Sequence, residues 1–124
     1  MNPKVETALN EQIQKEEYSS RLYLAMAIWS EANGYPGAAA FLYEHADEER
    51  MHMLKLIHYV NDRGGNCQLL DVQVPPLQYE SVLDIFTQIK EHEEYVTESI
   101  NQLYQVTMDE RDYTTGNFLQ WYIT

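Results

Sequence analysis

Two long helix-forming segments, with only a short turn between them, make up the first half of the sequence. The first covers about residues 3–33 and carries apolar side chains three and four residues apart, the period of an α-helix. Asn-Gly-Tyr-Pro-Gly follows at residues 33–37, where glycine tolerates a left-handed turn and proline cannot continue the helix. The second segment covers about residues 37–62 and ends before a glycine pair. Helices joined by so short a turn must lie antiparallel to each other.

The helical period lapses after the second segment. Residues 66–79 form a linker in which two adjacent prolines exclude a helix. Helical periodicity resumes over about residues 81–108, and an apolar, helix-like segment covers residues 113–124. This order predicts an all-α fold, in which residues 1–124 form a single four-helix up-down bundle with one long crossover. The crossover has to be long because it travels the length of the bundle.

The charge of the chain is strongly unbalanced. Twenty acidic residues against eight basic ones give a net charge of −12, which repels nucleic acids and anionic membranes and favours cations as partners. Cys67 is the single cysteine, so it cannot form an internal disulfide. Proteins of reducing compartments usually lack disulfides. The sequence has neither an apolar N-terminal signal region nor an apolar run of the roughly 20 residues that span a bilayer. These features predict a cytoplasmic protein.

Charged and polar residues interrupt the apolar stripes that should form the core. The interruptions lie near mid-helix, at Glu16 in the first helix, at His45, Glu49 and His52 in the second, and at Glu93 in the third. An ionised carboxylate in an apolar core costs several kcal/mol unless another group compensates its charge. Neither lysine nor arginine occurs on these stripes. A bound cation is therefore the simplest compensation.

Glu49 and His52 form a Glu-x-x-His pair, whose side chains leave the same face of a helix and can share one metal ion. A single Glu-x-x-His pair on a helix is more often exposed to solvent than bound to a metal. The coincidence of mid-helix interruptions on three helices favours a metal site, and carboxylates with one imidazole suit iron or manganese better than zinc.

Four nearby residues have other expected roles. Tyr23 lies two helical turns after Glu16, where it could either hydrogen-bond a ligand or pack in the core. His45, one turn before Glu49, is expected to support the site and not to bind the metal. His58 and His92 lie off the stripes and are expected to be solvated, while most of the ten tyrosines are expected to pack in the core.

The sequence resembles bacterial non-haem ferritins over essentially its whole length. The runs that carry the resemblance are Leu-Asn-Glu-Gln at residues 9–12, Gly-Ala-Ala-Ala-Phe-Leu at 37–42, His-Ala-Asp-Glu-Glu-Arg-Met-His-Met at 45–53 and Asn-Phe-Leu-Gln-Trp-Tyr at 117–122. The resemblance implies iron storage and detoxification, in which the subunit oxidises Fe(II) with oxygen or peroxide. The ferric mineral would then be deposited inside a homo-oligomeric cage, of 24 subunits in that family.

The resemblance also implies a non-haem di-iron ferroxidase centre inside the bundle. Glu16, Glu49 and His52 would hold the first iron, Glu49 would bridge, and Glu93 would hold the second. Tyr23 matches the tyrosine that lies beside this centre in the family. Glu48, which points away from the predicted site on a helical wheel, matches a ligand of a third, more peripheral iron site.

The fourth helix of that family continues beyond the position of Thr124, and its glutamine and glutamate ligands lie there. We therefore expect a truncated fourth helix, a complete first iron site, incomplete second and third sites, and altered assembly caused by exposed apolar surface. Two alternatives follow. One is a non-catalytic ferritin-like subunit or assembly fragment, and the other is a ferritin-like di-iron protein of the bacterioferritin or rubrerythrin type.

Overall fold

A computed structural model of the chain describes residues 1–123, which form four helices and no strand. The helices are α1 (Pro3–Ala32), α2 (Pro36–Asp62), α3 (Val82–Asp109) and α4 (Tyr113–Ile123). The predicted all-α, four-helix class is confirmed. Among the described helices, none is long and apolar enough to cross a membrane.

The helices begin and end where local chemistry requires it. The Asn2 side chain caps α1 by accepting hydrogen bonds from the backbone N–H groups of Lys4 and Val5, at 2.9 and 3.1 Å. Ser81 caps α3 in the same way. Gly34 has a φ of +84°, the left-handed conformation that turns the chain out of α1 into α2.

Hydrogen bonds between side chains define the directions of the helices. Gln12 of α1 is bonded to Ser99 of α3, whereas Ser19, which comes later in α1, is bonded to His92, which comes earlier in α3. The two helices are therefore antiparallel. On α2, Ala46 accepts a hydrogen bond from Ser20 of α1. Helices α2 and α4 are antiparallel too, because Tyr59 pairs with Thr115 near the start of α4, while His52, earlier in α2, pairs with Tyr122 near the end of α4. Helices α2 and α3 are therefore parallel, as a long crossover requires.

The crossover lies along α1. Asn10 binds it twice, because the amide donates to the Asn66 carbonyl at 3.0 Å and the side-chain oxygen accepts from the Gln68 N–H at 2.9 Å. Further along, the Tyr79 ring is buried at the opposite end of the bundle, and its hydroxyl donates to the Pro76 carbonyl. The connection thus returns the chain to the end of the bundle where α2 begins.

Two apolar clusters form the core, one toward each end of the bundle. The first contains Leu22, Tyr23, Met26, Ala27, Leu42, Ala46, Tyr79, Ile85 and Ile89. The second contains Val5, Leu9, Ile13, Met53, Leu56, Val60, Leu103 and Leu119. On each of α1, α2 and α3 there is a gap between the two clusters, and most of the residues in the gap are polar.

Candidate metal centre

Three potential metal ligands converge in the gap between the two clusters. Glu16 of α1 and Glu49 and His52 of α2 each offer one ligand atom, and these atoms all lie within 4.8 Å of one another. Glu49 and His52 reach the same point because they are one helical turn apart. We call these three residues the inner triad. In the described part of the chain, it is the one group of three or more His, Cys, Asp or Glu residues that converge in this way.

Burial and mutual charge set the protonation of the inner triad. Burial raises the pKa of Glu16 well above its usual range, and the neighbouring Glu49 adds to this effect. Burial alone would also raise the pKa of Glu49, but His52 and Glu16 hold it below its usual value. The Glu49 carboxylate in turn raises the pKa of His52. Near neutral pH, Glu16 is therefore protonated beside an ionised Glu49.

Two buried carboxylate oxygens of the triad accept no hydrogen bond from an N–H or O–H group of another residue type. They are Oε2 of Glu16 and Oε2 of Glu49. The latter lies 3.3 Å from Nδ1 of His52, a charge contact without the alignment of a hydrogen bond. Buried polar atoms normally have hydrogen-bond donors, so buried carboxylate oxygens without one, in a group of converging ligands, are suited to a cation. Two carboxylates and one imidazole are a donor set that iron and manganese accept.

Glu93 lies apart from the inner triad, and the expectation that it occupies a buried stripe is wrong. Its side chain is 55% exposed, and its Oε1 lies 3.4 Å from Nε2 of His45. The His45 ring is held edge-on to Tyr23, at 4.7 Å between centroids, and against the face of Phe41. We call His45 and Glu93 the outer pair. Glu93 is exposed because the described part of α4 packs beside His52 and the second cluster, and leaves this part of α3 open.

A cavity of about 360 Å³ connects the two groups. The inner triad, the outer pair and Glu48 all line it. Glu48 is exposed, so it lies where the cavity meets solvent, outside the convergent group. Tyr23 lines the cavity as well and is almost completely buried, and this burial raises the pKa of its hydroxyl. The cavity gives a cation in solvent a path to the inner triad.

Tyr122, which was expected only to pack, covers the inner triad from α4. Its hydroxyl donates a hydrogen bond to the His52 carbonyl at 2.7 Å. Trp121 lies edge-on to the His52 ring, with 5.4 Å between centroids. These contacts hold the α2 turn that carries His52. They join residues far apart in the sequence, so no local pattern indicated them.

His92 was expected to be solvated, and this expectation is wrong. Its Nε2 lies 2.7 Å from Oγ of Ser19, and its ring contacts Tyr18 and Tyr23. Burial lowers the pKa of its imidazole. His92 faces α1 because adjacent residues on a helix point about 100° apart, and α3 is rotated so that His92, not Glu93, turns inward.

The chain matches the sequence profile of a family described as the ferritin-like domain over residues 6–124. A bacterial non-haem ferritin of Campylobacter jejuni is 44% identical over all 124 residues, which cover 74% of that protein. The corresponding protein of Escherichia coli is 40% identical over the same residues, which cover 75% of it. An open-pore ferritin of the archaeon Archaeoglobus fulgidus has been solved. It superposes with a TM-score of 0.97 at 40% identity, over 99% of this chain and 76% of the archaeal one.

Proposed function

Because the chain belongs to the ferritin-like family, we propose that it stores iron, and that it binds and oxidises Fe(II) at the inner triad. The observation that carries this proposal is the convergence of Glu16, Glu49 and His52 in a buried gap that contains unbonded carboxylate oxygens. The similarity to bacterial non-haem ferritins over the whole chain supports iron as the metal.

The proposed reaction uses the charge of the ligands. Hard, anionic oxygens stabilise Fe(III) more than Fe(II), so two carboxylates around the first iron favour the loss of its electron. Each Fe(II) gives up one electron to oxygen or peroxide. Glu16 has to lose its proton before it can bind the metal, and the cavity gives that proton a way to solvent.

Glu93 is proposed to hold a second iron, with Glu49 bridging the two ions. Glu93 and Glu49 line the same cavity, which supports this arrangement. Glu48, on the exposed side of the cavity, is proposed as a peripheral ligand that iron meets early. Tyr23 would stay next to the reacting iron as a protonated phenol, since burial raises its pKa.

Stopped-flow measurement of Fe(II) oxidation tests the proposal. The native chain should oxidise Fe(II), whereas Glu49→Ala and His52→Ala should be slower by about 100-fold, because each removes a ligand that nothing else replaces. Glu11→Ala, which removes an exposed glutamate of α1 away from the cavity, is the matched control and should behave like the native chain. Equal rates for all four proteins would contradict the proposed site.

A non-catalytic subunit that binds iron without turnover is the second candidate. It is favoured by one observation, the separation of Glu93 from the convergent group in the described residues. Oxidation of a single Fe(II) per chain without continued turnover, measured with excess Fe(II) under oxygen, would support this candidate. Repeated turnover would support the ferroxidase.

We also propose that the protein works in the cytoplasm as a homo-oligomeric cage. The ferritin relatives support assembly, and several large apolar side chains lie on the surface of the described chain, including Ile28, Val74 and Leu83. Sedimentation velocity tests the assembly. A single large, closed particle would support an ordinary cage, irregular association would support the altered assembly expected from the exposed apolar surface, and a monomer at all concentrations would contradict both.

A further inference from the structure

We infer that Gln12 and Ser99 are positioning residues, which hold Glu16 through a buried chain of two hydrogen bonds and present a single carboxylate oxygen to the metal. We call this chain the Gln12–Ser99 tether. The inference rests on the proposed function, since it concerns how one ligand of the inner triad is prepared for the cation.

The tether links α3 to the ligand on α1. The Ser99 hydroxyl donates to Oε1 of Gln12 at 3.0 Å, and Nε2 of Gln12 donates to Oε1 of Glu16 at 3.2 Å. All three side chains lie inside the bundle: Ser99 is 4% exposed, and Gln12 and Glu16 are each 1% exposed. This burial limits competition from water for either bond, and the amide of Gln12 has a defined partner on each side.

The two oxygens of Glu16 have different surroundings. Oε1 receives the amide hydrogen bond of Gln12, whereas Oε2 is buried and receives no hydrogen bond from an amide, hydroxyl or backbone N–H group. A carboxylate held by one oxygen cannot rotate freely, so the other oxygen keeps a fixed direction. Glu16 should therefore bind the cation through Oε2 alone, in a monodentate mode.

Packing alone does not explain a glutamine and a serine at this place. Their neighbours in the sequence, Ile13 and Ile100, are buried apolar residues, and an apolar pair would fill the same space without burying an amide. A fully bonded polar network inside a core specifies one arrangement of its members. Ligand orientation by hydrogen-bonded neighbours is a general feature of metal sites, and its loss typically lowers metal affinity by roughly 10- to 100-fold.

The test uses Co(II) as the probe under conditions without iron, with affinity measured by calorimetry. Gln12→Leu keeps most of the side-chain volume and removes the amide, and it should weaken Co(II) binding by roughly 10- to 100-fold. Ser99→Ala frees the far end of the tether and should weaken binding by about threefold to tenfold. Ser99→Thr keeps the hydroxyl and should restore near-native affinity. Ser30→Ala changes an equally buried serine near the end of α1 and should have no effect on binding.

Infrared difference spectra between the Co(II)-loaded and metal-free proteins provide a readout that a purely structural role would not change. The separation of the antisymmetric and symmetric carboxylate bands is wide for monodentate binding and narrow for bidentate binding. The Glu16 bands are identified by their loss in Glu16→Gln. We expect the wide separation in the native chain and a narrowed one in Gln12→Leu and Ser99→Ala.

The outcomes separate this inference from the proposed function. Native affinity and native carboxylate bands in both Gln12→Leu and Ser99→Ala, together with weak binding in Glu49→Ala, would overturn the tether and leave the site intact. Equal Co(II) binding by the native chain and Glu49→Ala would overturn the site, and the tether with it. Thermal melting of the metal-free proteins identifies a variant that fails to fold. If Gln12→Leu fails to fold, the tether is tested by Ser99→Ala alone, with Ser99→Thr as the variant that should restore near-native affinity.

Discussion

The inner triad and the outer pair contain the same residue types, glutamate and histidine, but their glutamates lie in opposite environments. Glu16 is 1% exposed, and buried oxygens of the triad lack hydrogen bonds. The Glu93 side chain is 55% exposed and borders solvent. The comparison predicts that burial, more than residue type, decides how strongly each group binds a cation. Desolvated carboxylates gain most from a cation, while solvated ones already have water as a partner.

The largest difference is expected when the histidine of each group is removed. His52→Ala should weaken Co(II) binding at the inner triad by about 100-fold, because it deletes one of three ligands. His45→Ala should change the same affinity by less than about threefold, because His45 pairs with Glu93 and is not one of the converging ligands. Calorimetric titration measures both. Equal losses in the two variants would show that the two groups form one site.

Removal of Glu93 should separate binding from oxidation. Glu93→Ala is expected to leave the first Co(II) affinity near its native value, because the inner triad is complete without it. Fe(II) oxidation should slow by roughly tenfold, since the proposed second iron loses a ligand. Calorimetry and stopped-flow absorbance on the same preparation measure the two quantities. A parallel loss of both would contradict separate roles for the two groups.

The pH dependence should be steeper at the inner triad than at an exposed site. Burial raises the pKa of Glu16, so this carboxyl carries a proton in the metal-free protein near pH 7 and releases it when a cation binds. The Co(II) affinity should therefore rise between pH 6 and pH 8, by a factor approaching tenfold per pH unit for each proton released. Glu16→Gln binds more weakly but should show a smaller slope. An unchanged slope would mean that the released proton comes from another group.

Removal of the α4 cover should have the smallest effect. Tyr122→Phe deletes the hydrogen bond to the His52 carbonyl and should lower the free energy of unfolding by about 1 kcal/mol. Because the phenylalanine keeps the ring that lies edge-on to His52 and only a bond to the backbone is lost, Co(II) affinity should stay within about threefold. Chemical denaturation and calorimetry measure the two effects. A large loss of affinity with unchanged stability would instead make Tyr122 a part of the site.

The parts of the site that were predictable from the sequence are those that local periodicity determines. Glu49 and His52 are one turn apart on α2, so their convergence needs no knowledge of the other helices. Glu16 could be added because it interrupts the apolar stripe of α1 near mid-helix, as Glu49 and His52 do on α2. The structure brings these three residues together, and the four-helix class followed from the same periodicity and from the lengths of the connections.

The remaining features depend on how the helices are rotated against one another. A stripe through Glu93 and one through His92 fit the periodicity of α3 almost equally well, and only packing against Ser19 of α1 turns His92 inward. The Gln12–Ser99 tether joins residues 87 positions apart. Such a pair leaves no local pattern in a single sequence, although the position of Gln12, one turn before Glu16, is the signal that could have identified it.

Anomalous diffraction from crystals soaked in Mn(II), a redox-stable stand-in for Fe(II), would show where a cation binds in this protein. A strong anomalous peak is expected within coordination distance of Glu16, Glu49 and His52, and a weaker one beside Glu93. Anomalous density at Glu93 and other exposed carboxylates, with none at the inner triad, would contradict the proposed site.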